Sequence, residues 1–430
     1  MSRVRHLLAV VVALVVLASC GGHPVAVKPG PVQGVTEARA TVARATAVAI
    51  DAERGAASVD QFGLDLLRRG LGLDKGNVAL SPTSIATALS MARAGAAGST
   101  AAEMDKVLHV GDPAGANQAM NSLAQQLASR NGTFPRGSDE PLAIELNAAN
   151  TCFAQRGLPF EQPFLDELSR SYGAGVQLVD FQAPEAARRA VNSWVGAQTD
   201  NRIPALLAPG SPAPETRLVL VNAVYLKADW MVPFQKAQTV AATFNTPDGA
   251  VDLPFMHGNH ARHYLAGDGW QAVELPYAGG KLAMTLLVPN QGQYDLVAGK
   301  LTPALLNSVD QAPTIGVDLH LPKFDIEHHL SLKAPLSSLG MPAAFSDHAD
   351  FSAMTSQESL RIADVVHQAN VTVDEKGTVA AAASAVIMEP TSAPVSNVTL
   401  VVDRPFLFFI RDLPTGAILF AGQVTNPAAK

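Results

Sequence analysis

The residues able to do covalent or metal chemistry are few, and their spacing is informative mainly through what it denies. Among 430 residues there are two cysteines, Cys20 and Cys152. No Gly-x-Ser-x-Gly elbow and no Ser-x-x-Lys occurs, so a hydrolase or β-lactamase-type serine lacks its setting. His-Glu-x-x-His, Cys-x-x-Cys and a Walker loop are missing too, and Gly279-Gly280-Lys281 has neither the upstream Gly nor the following Ser/Thr. His257, His260 and His263 recur every third residue. That spacing suits one face of a helix, but Asp252 to His257 reads as strand and turn, where a period of three changes faces. No carboxylate lies between them. They are read as solvated histidines, and His328-His329 offers no more. No metal and no cofactor is expected.

What remains is a segment with no chemistry of its own. Gly377-Thr-Val-Ala-Ala-Ala-Ala-Ser384 carries no charge and nothing larger than Val379. Val371 to Lys376 before it alternates like a strand, and Pro390, Pro394 and Pro405 follow. Propensity alone makes an Ala run helical, but the Gly before it and the prolines after it argue against a settled helix. Small uncharged side chains are what a segment needs to slide between existing strands. The activity this suggests is refolding of the chain itself rather than catalysis.

The N-terminus points outside the cell. Arg3 and Arg5 precede Leu7 to Leu17, which is wholly apolar but shorter than the about 20 residues of a membrane-spanning helix. Leu17-Ala-Ser-Cys20 is similar to a bacterial lipobox, with cleavage before Cys20 and lipid on its thiol. A plain secretory peptide with a chance Cys is the alternative; both export the chain. Lipidation of Cys20 leaves Cys152 alone, so no intrachain disulfide is expected; Cys152, in the strand-like Leu146 to Phe153, reads as a small core hydrophobe. Net charge is −7 with no basic tract, which removes the usual footprint for nucleic acid. Hydrophobic residues make up 48%, enough for a substantial core.

The organisation follows. Residues 1–19 are a signal peptide. Residues 20–54 are a lipid-anchored tether and Ala-rich linker, spanning roughly 30 Å if 21–54 is flexible. Residues 55–430 form the globular domain. Helical spacing runs from Val59 to Leu71, after Ser81-Pro82, and over 116–128, 161–171, 184–199 and 301–309, where Pro303 lies in the first turn. Strands are expected at 218–226, 271–276, 282–288, 315–322, 360–373 and 398–410. Helices first and strands later give an α+β fold. Asn131, Asn370 and Asn397 head Asn-x-Thr sequons, read as coincidental in an exported bacterial protein.

Several stretches, in order, carry a resemblance to one family. Asn77-Val-Ala-Leu-Ser-Pro-Thr-Ser-Ile-Ala-Thr-Ala-Leu89 and Gly95 to Met104 resemble the serpins. So do Leu220-Val-Asn-Ala-Val-Tyr-Leu-Lys-Ala-Asp-Trp230, Leu321-Pro-Lys-Phe324, Ala349-Asp-Phe-Ser352 and Asp403-Arg-Pro-Phe-Leu-Phe408 through Asn426-Pro427. The likeness runs from about residue 56 to 427. It implies three β-sheets, eight or nine helices and an exposed reactive loop at about 375–398. It also implies the family mechanism, in which a protease cuts the loop and the cut loop inserts into the central sheet.

The residues decide whether this copy can do so. Insertion buries alternate side chains; from Thr378 the inward set is Thr378, Ala380, Ala382, Ser384, Val386 and Met388, none charged, with no Pro before Pro390. A charge there is buried unpaired and costs several kcal/mol, and a Pro deletes a ladder hydrogen bond. Counting the loop from Gly377 as in the family puts the scissile bond at Thr391–Ser392. Thr391 after Pro390 suits the shallow pocket of elastase-like or subtilisin-like serine proteases, and no Lys or Arg lies between Gly377 and Val402 for a trypsin-like one. The resemblance further implies that Ser81, Ser84, Asn222 and His367 hold the sheet closed from beneath, that Trp230 marks the entry point, and that Glu375 and Lys323 pair there. Near 116–130 Arg130 is the only base, so no heparin-type cofactor is implied. Asn201-Arg202 replaces the family's Gly-Lys, and Asn accepts a left-handed cap. The expected molecule is a monomeric suicide inhibitor on the outer surface of a bacterial membrane, or shed from it. The alternative is a non-inhibitory serpin that acts as a binding module or is merely cut.

Overall fold

Leu218 to Leu226 is an unbroken run of nine buried residues. A run of that kind needs cover on both faces, and its strand, Leu218–Asp229, lies in the middle of the molecule. It pairs antiparallel with Asp139–Gln155 on one side and parallel with Asp364–Val373 on the other. The structure, a computed structural model, describes residues 30–70, 76–136, 139–378 and 397–429.

The central sheet has eight strands among the described residues. Their order is Thr36–Ala38, Val176–Val179, Asp139–Gln155, Leu218–Asp229, Gly377–Thr378, Asp364–Val373 and Phe324–Ser331, with Gly132–Arg136 also on Asp139–Gln155. Helix Pro82–Arg93 packs on one face. Helix Pro184–Gln198 covers the other through Val191 and Val195, which join Phe153 and Val221 in a separate small core. Nine further strands are linked by pairing, and the long strand Gly249–Gly267 divides them. Its middle pairs with Thr314–Pro322 and its end with Trp270–Pro276. The expected three sheets are thus present, two of them sharing one strand. Nine α-helices occur among the described residues, and none is long and apolar enough to cross a membrane.

Local signals explain the elements that matter for the site. Ser81 caps helix Pro82–Arg93: its Oγ accepts from Ser84 N at 3.3 Å, and Pro82 sits where its missing N–H costs nothing. Asn201 adopts the expected left-handed conformation, φ 57°, and Asp200 beside it does the same at φ 49°. Cys152 is fully buried, and burial pushes its thiol up to about 12, consistent with an inert core residue.

Two expectations are corrected. The linker read over 20–54 is not separate from the body in its described part. Thr36–Ala38 pairs with Val176–Val179 at the sheet edge, Ala45 N donates to Arg170 O at 2.8 Å, and helix Ala49–Asp65 runs through the proposed boundary with Ala52 and Ala56 buried. Pairing and packing settle a stretch whose own propensity is weak. The alternating stretch Val371 to Lys376 is not one strand either. Pairing stops at Val373, because Asp374 turns the chain: its Oδ1 accepts from Lys376 N at 2.8 Å and Gly377 N at 3.3 Å.

Candidate functional site

The turn at Asp374 sends the chain back into the sheet it has just left. Gly377 lies opposite Asp229, and Thr378 lies opposite Ala228 on one side and Val373 on the other. The two residues form a short strand wedged, antiparallel to both, between Leu218–Asp229 and Asp364–Val373. Below the wedge those two strands pair with each other in parallel over seven positions, Asp364–Asn370 against Val219–Tyr225. The sheet is therefore already parted at its head and closed lower down.

The head is held by groups from four places in the chain. Trp230 N donates to Lys376 O at 2.7 Å, Trp230 Nε1 to Asp374 O at 3.0 Å, and Phe234 N to Glu375 O at 2.8 Å. Tyr277 stacks on Trp230 with ring centroids 4.5 Å apart, and its hydroxyl meets Thr378 Oγ1 at 2.6 Å. Thr378 is 1% exposed. Lys323 Nζ donates to Glu375 Oε2 at 2.8 Å and Thr239 Oγ1 to Oε1 at 2.8 Å. Burial works to raise the Glu375 carboxyl, but these two bonds and one from its own backbone outweigh it and hold the group below its ordinary range.

Gly377 has a steric reason to be glycine. A Cβ there would stand 2.0 Å from Ala228 O and 2.8 Å from Asp229 Cα, both rigid backbone atoms. Gly377→Ala is therefore expected to expel the two-residue wedge. Amide exchange at Thr378 would read this directly; protection as strong as in the unsubstituted protein would contradict it.

The closed part of the sheet rests on a buried polar cluster. His367 Nε2 accepts from Ser81 N at 3.1 Å, which fixes the proton on Nδ1, where it is donated to Asn222 Oδ1. Asn222 Nδ2 donates to Ser84 Oγ at 2.7 Å and to Asn150 Oδ1 at 2.6 Å, and Ser84 Oγ donates to Asn150 Oδ1 at 2.6 Å. His367 and Asn222 are directly opposite each other across the parallel pair. Burial first, then the neighbouring His328 and His329, lower the His367 imidazole to about 3, so it is neutral at pH 7. Parting these strands means breaking the His367–Asn222 bond.

The sheet is thus wedged open at its head and tied from beneath to the start of helix Pro82–Arg93. The Serpin (serine protease inhibitor) family model matches residues 57–427. The chain belongs to the serpin family. An uncharacterized serpin-like protein of Thermococcus kodakarensis is 38% identical to this serpin over 376 residues, covering 86% of this chain and 85% of that one. The leukocyte elastase inhibitor of Sus scrofa is 34% identical over 388 residues, covering 87% and 100%. The solved structure of Manduca sexta serpin-12 superposes with a TM-score of 0.77 at 23% identity over 87% of this chain and 99% of that one, which bears on the fold.

Of the residues nominated from sequence, the serpin brings Glu375, Gly377, Thr378, Trp230 and Lys323 together at the head of the sheet, and Ser81, Ser84, Asn222 and His367 beneath it. Ala380, Ala382, Ser384, Thr391, Ser392 and Cys20 lie outside the described residues. Arg130 is turned inward onto Asp412, with its Nε 2.5 Å from Oδ1. The three spaced histidines are not brought together: His263 Nδ1 meets Ala312 O at 2.6 Å, while His257 faces Asp318 and His320. Sequence reasoning missed Asn150, Tyr277, Thr239 and Asp374. Asp374 alone had a local signal, an Asp three residues before a Gly; the others reach the site only through cross-strand pairing.

Proposed function

We propose that this serpin is a suicide inhibitor of extracellular serine proteases with a shallow primary pocket, elastase-like or subtilisin-like, cut at Thr391–Ser392. The observation that carries this reading is the wedge: Gly377 and Thr378 already occupy the slot that the rest of the loop must enter. The protease serine attacks the Thr391 carbonyl, the Ser392 amine leaves, and the ester to Thr391 remains. The freed loop then continues the strand begun at Gly377. The residues that follow inward, Ala380, Ala382 and Ser384, present nothing large or charged to the core.

The geometry also supplies a driving force. Before insertion the centre of the sheet is a parallel pair. After it, that pair is replaced by two antiparallel ladders, because the wedge is antiparallel to both neighbours. Each inserted residue gains ladder bonds on both sides, and antiparallel pairing is slightly the more stable kind. The relatives named as leukocyte elastase inhibitors add support for the target class. Lipid on Cys20 would hold the inhibitor, as a monomer, at the outer face of a bacterial membrane.

Mixing the full chain with elastase and with subtilisin, followed by a denaturing gel, tests the reading. The expected product is an adduct that survives denaturation, together with a released peptide of residues 392–430. Clean conversion to cut serpin with no adduct would instead assign it to the non-inhibitory members. Detergent partitioning before and after Cys20→Ala tests the anchor.

A further inference from the structure

We propose that His257, Asp318 and His320 form a binding site for a divalent transition-metal ion of the zinc class. The three residues come from neighbouring strands, Gly249–Gly267 and Thr314–Pro322, and His257 is directly opposite His320 in the ladder. Along Thr314–Pro322 the buried residues Val317, Leu319 and Leu321 alternate with half-buried Asp318 and His320. The cluster therefore sits on the face turned away from the core, where water and ions reach it.

The donor set is assembled for a cation. His257 Nε2 is 2.5 Å from Asp318 Oδ1, His320 Nε2 is 3.7 Å from Asp318 Oδ2, and one ligand atom from each residue falls within 4.8 Å of the others. Bond lengths of about 2.0–2.2 Å at a tetrahedral ion put ligand atoms roughly 3.4 Å apart, inside that range. The two imidazoles are stacked, with centroids 4.5 Å apart and planes 25° from parallel, so both already aim the same nitrogen at one carboxylate. An ion entering here replaces the His257–Asp318 hydrogen bond and draws in His320. Side-chain exposures of 33%, 23% and 31% leave an approach from solvent and a fourth position for water. Two imidazole nitrogens and one carboxylate favour zinc, copper or nickel over calcium or magnesium, which take oxygen ligands.

The site has a position in the fold that gives it a consequence. Val398–Val401 hangs on the same Thr314–Pro322 strand, with Thr399 opposite Asp318 and Val401 opposite His320. An ion would staple two strands at the place where the chain returns to the sheet after the reactive loop.

The test uses the full chain without a polyhistidine tag, treated with EDTA and titrated calorimetrically with ZnCl2. One saturable ion per chain is expected. His320→Gln and Asp318→Asn should each weaken it at least about tenfold, the scale already seen for loss of an outer-shell partner. His263→Gln, whose ring faces Ala312 O, should leave it unchanged. Zinc should raise the thermal midpoint of the unsubstituted protein and not that of His320→Gln. Absence of saturable zinc binding by the unsubstituted chain would overturn the proposal. So would binding that His320→Gln and Asp318→Asn leave intact, or an equal response to MgCl2.

Discussion

Thr378→Arg is expected to abolish the denaturant-resistant complex and turn the inhibitor into a plain substrate. Thr378 is the first side chain of the loop to be buried. It sits against Tyr277, itself stacked on Trp230, with 1% of its surface exposed. The side-chain partner that Thr378 has there is the Tyr277 hydroxyl, which cannot neutralise a guanidinium, and the nearby Glu375 is already engaged by Lys323 and Thr239. Breaking a buried pair and leaving one charge unpaired costs about 3–5 kcal/mol. The charge would expel residue 378 from the wedge, and burying it again at the start of insertion would slow insertion by roughly 10²–10⁴-fold. Hydrolysis of the acyl-enzyme then wins the race, and the protease leaves free. Stopped-time denaturing gels and the moles of inhibitor consumed per mole of enzyme read the outcome. Thr378→Ser keeps the hydroxyl and should keep the complex. An arginine variant that folds and still traps protease would refute the hinge reading.

The second large effect is acid weakening of the sheet through His367. The unfolded chain takes up a proton on this histidine near its ordinary value of about 6.5, whereas the folded chain resists until about 3. Between those limits the unfolded state binds more protons, so stability falls as pH falls; above 6.5 the contribution is constant. The single-site linkage predicts about 2 kcal/mol less stability at pH 5 than at pH 7. Protonation at Nε2 would also set two donors face to face, because Ser81 N already points there. Urea midpoints of the unsubstituted protein and of His367→Gln, each measured at pH 7 and pH 5, separate this group from the other histidines. The pH difference, rather than the absolute stability, is the readout. Equal acid shifts in both proteins would remove His367 as the cause.

How much of this was legible in the chain depended on how local each signal was. Ser81-Pro82 announced a helix start because cap and first turn are neighbours in sequence. The apolar run at 218–226 announced a strand for the same reason. The Ala run after Gly377 was harder. Its propensity says helix, yet Gly377 and Thr378 just before the alanines are strand, because two existing strands offer ladder partners that no local preference can outweigh. Thr36–Ala38 was invisible: three residues of mixed polarity become a strand only because Val176–Val179 leaves an edge to pair with. Asn150 and Tyr277 escaped for a related reason. Asn150 meets Asn222 from the adjacent strand, and Tyr277 meets Thr378 from 101 residues away. His257 was weighed against the wrong neighbours, His260 and His263, since its true partners lie across a ladder whose register no period reveals.

The wedge also acts as a ruler. Carried onward, the register that sets Thr378 opposite Ala228 and Val373 would bring Ser384 between Asn222 and His367, the two residues that now face each other. The same count would bring Met388 level with Leu218, where the strand begins. Thr391 lies three residues further, a leash of about 10 Å at the rise of an extended chain. A protease of about 220 residues has a radius of gyration of roughly 17 Å. An enzyme acylated at Thr391 could not hang free of the molecule on so short a line; it would be drawn hard against the far rim of the sheet. In the proposed reaction, the grip on the enzyme would be set less by any matched surface than by the length of a strand.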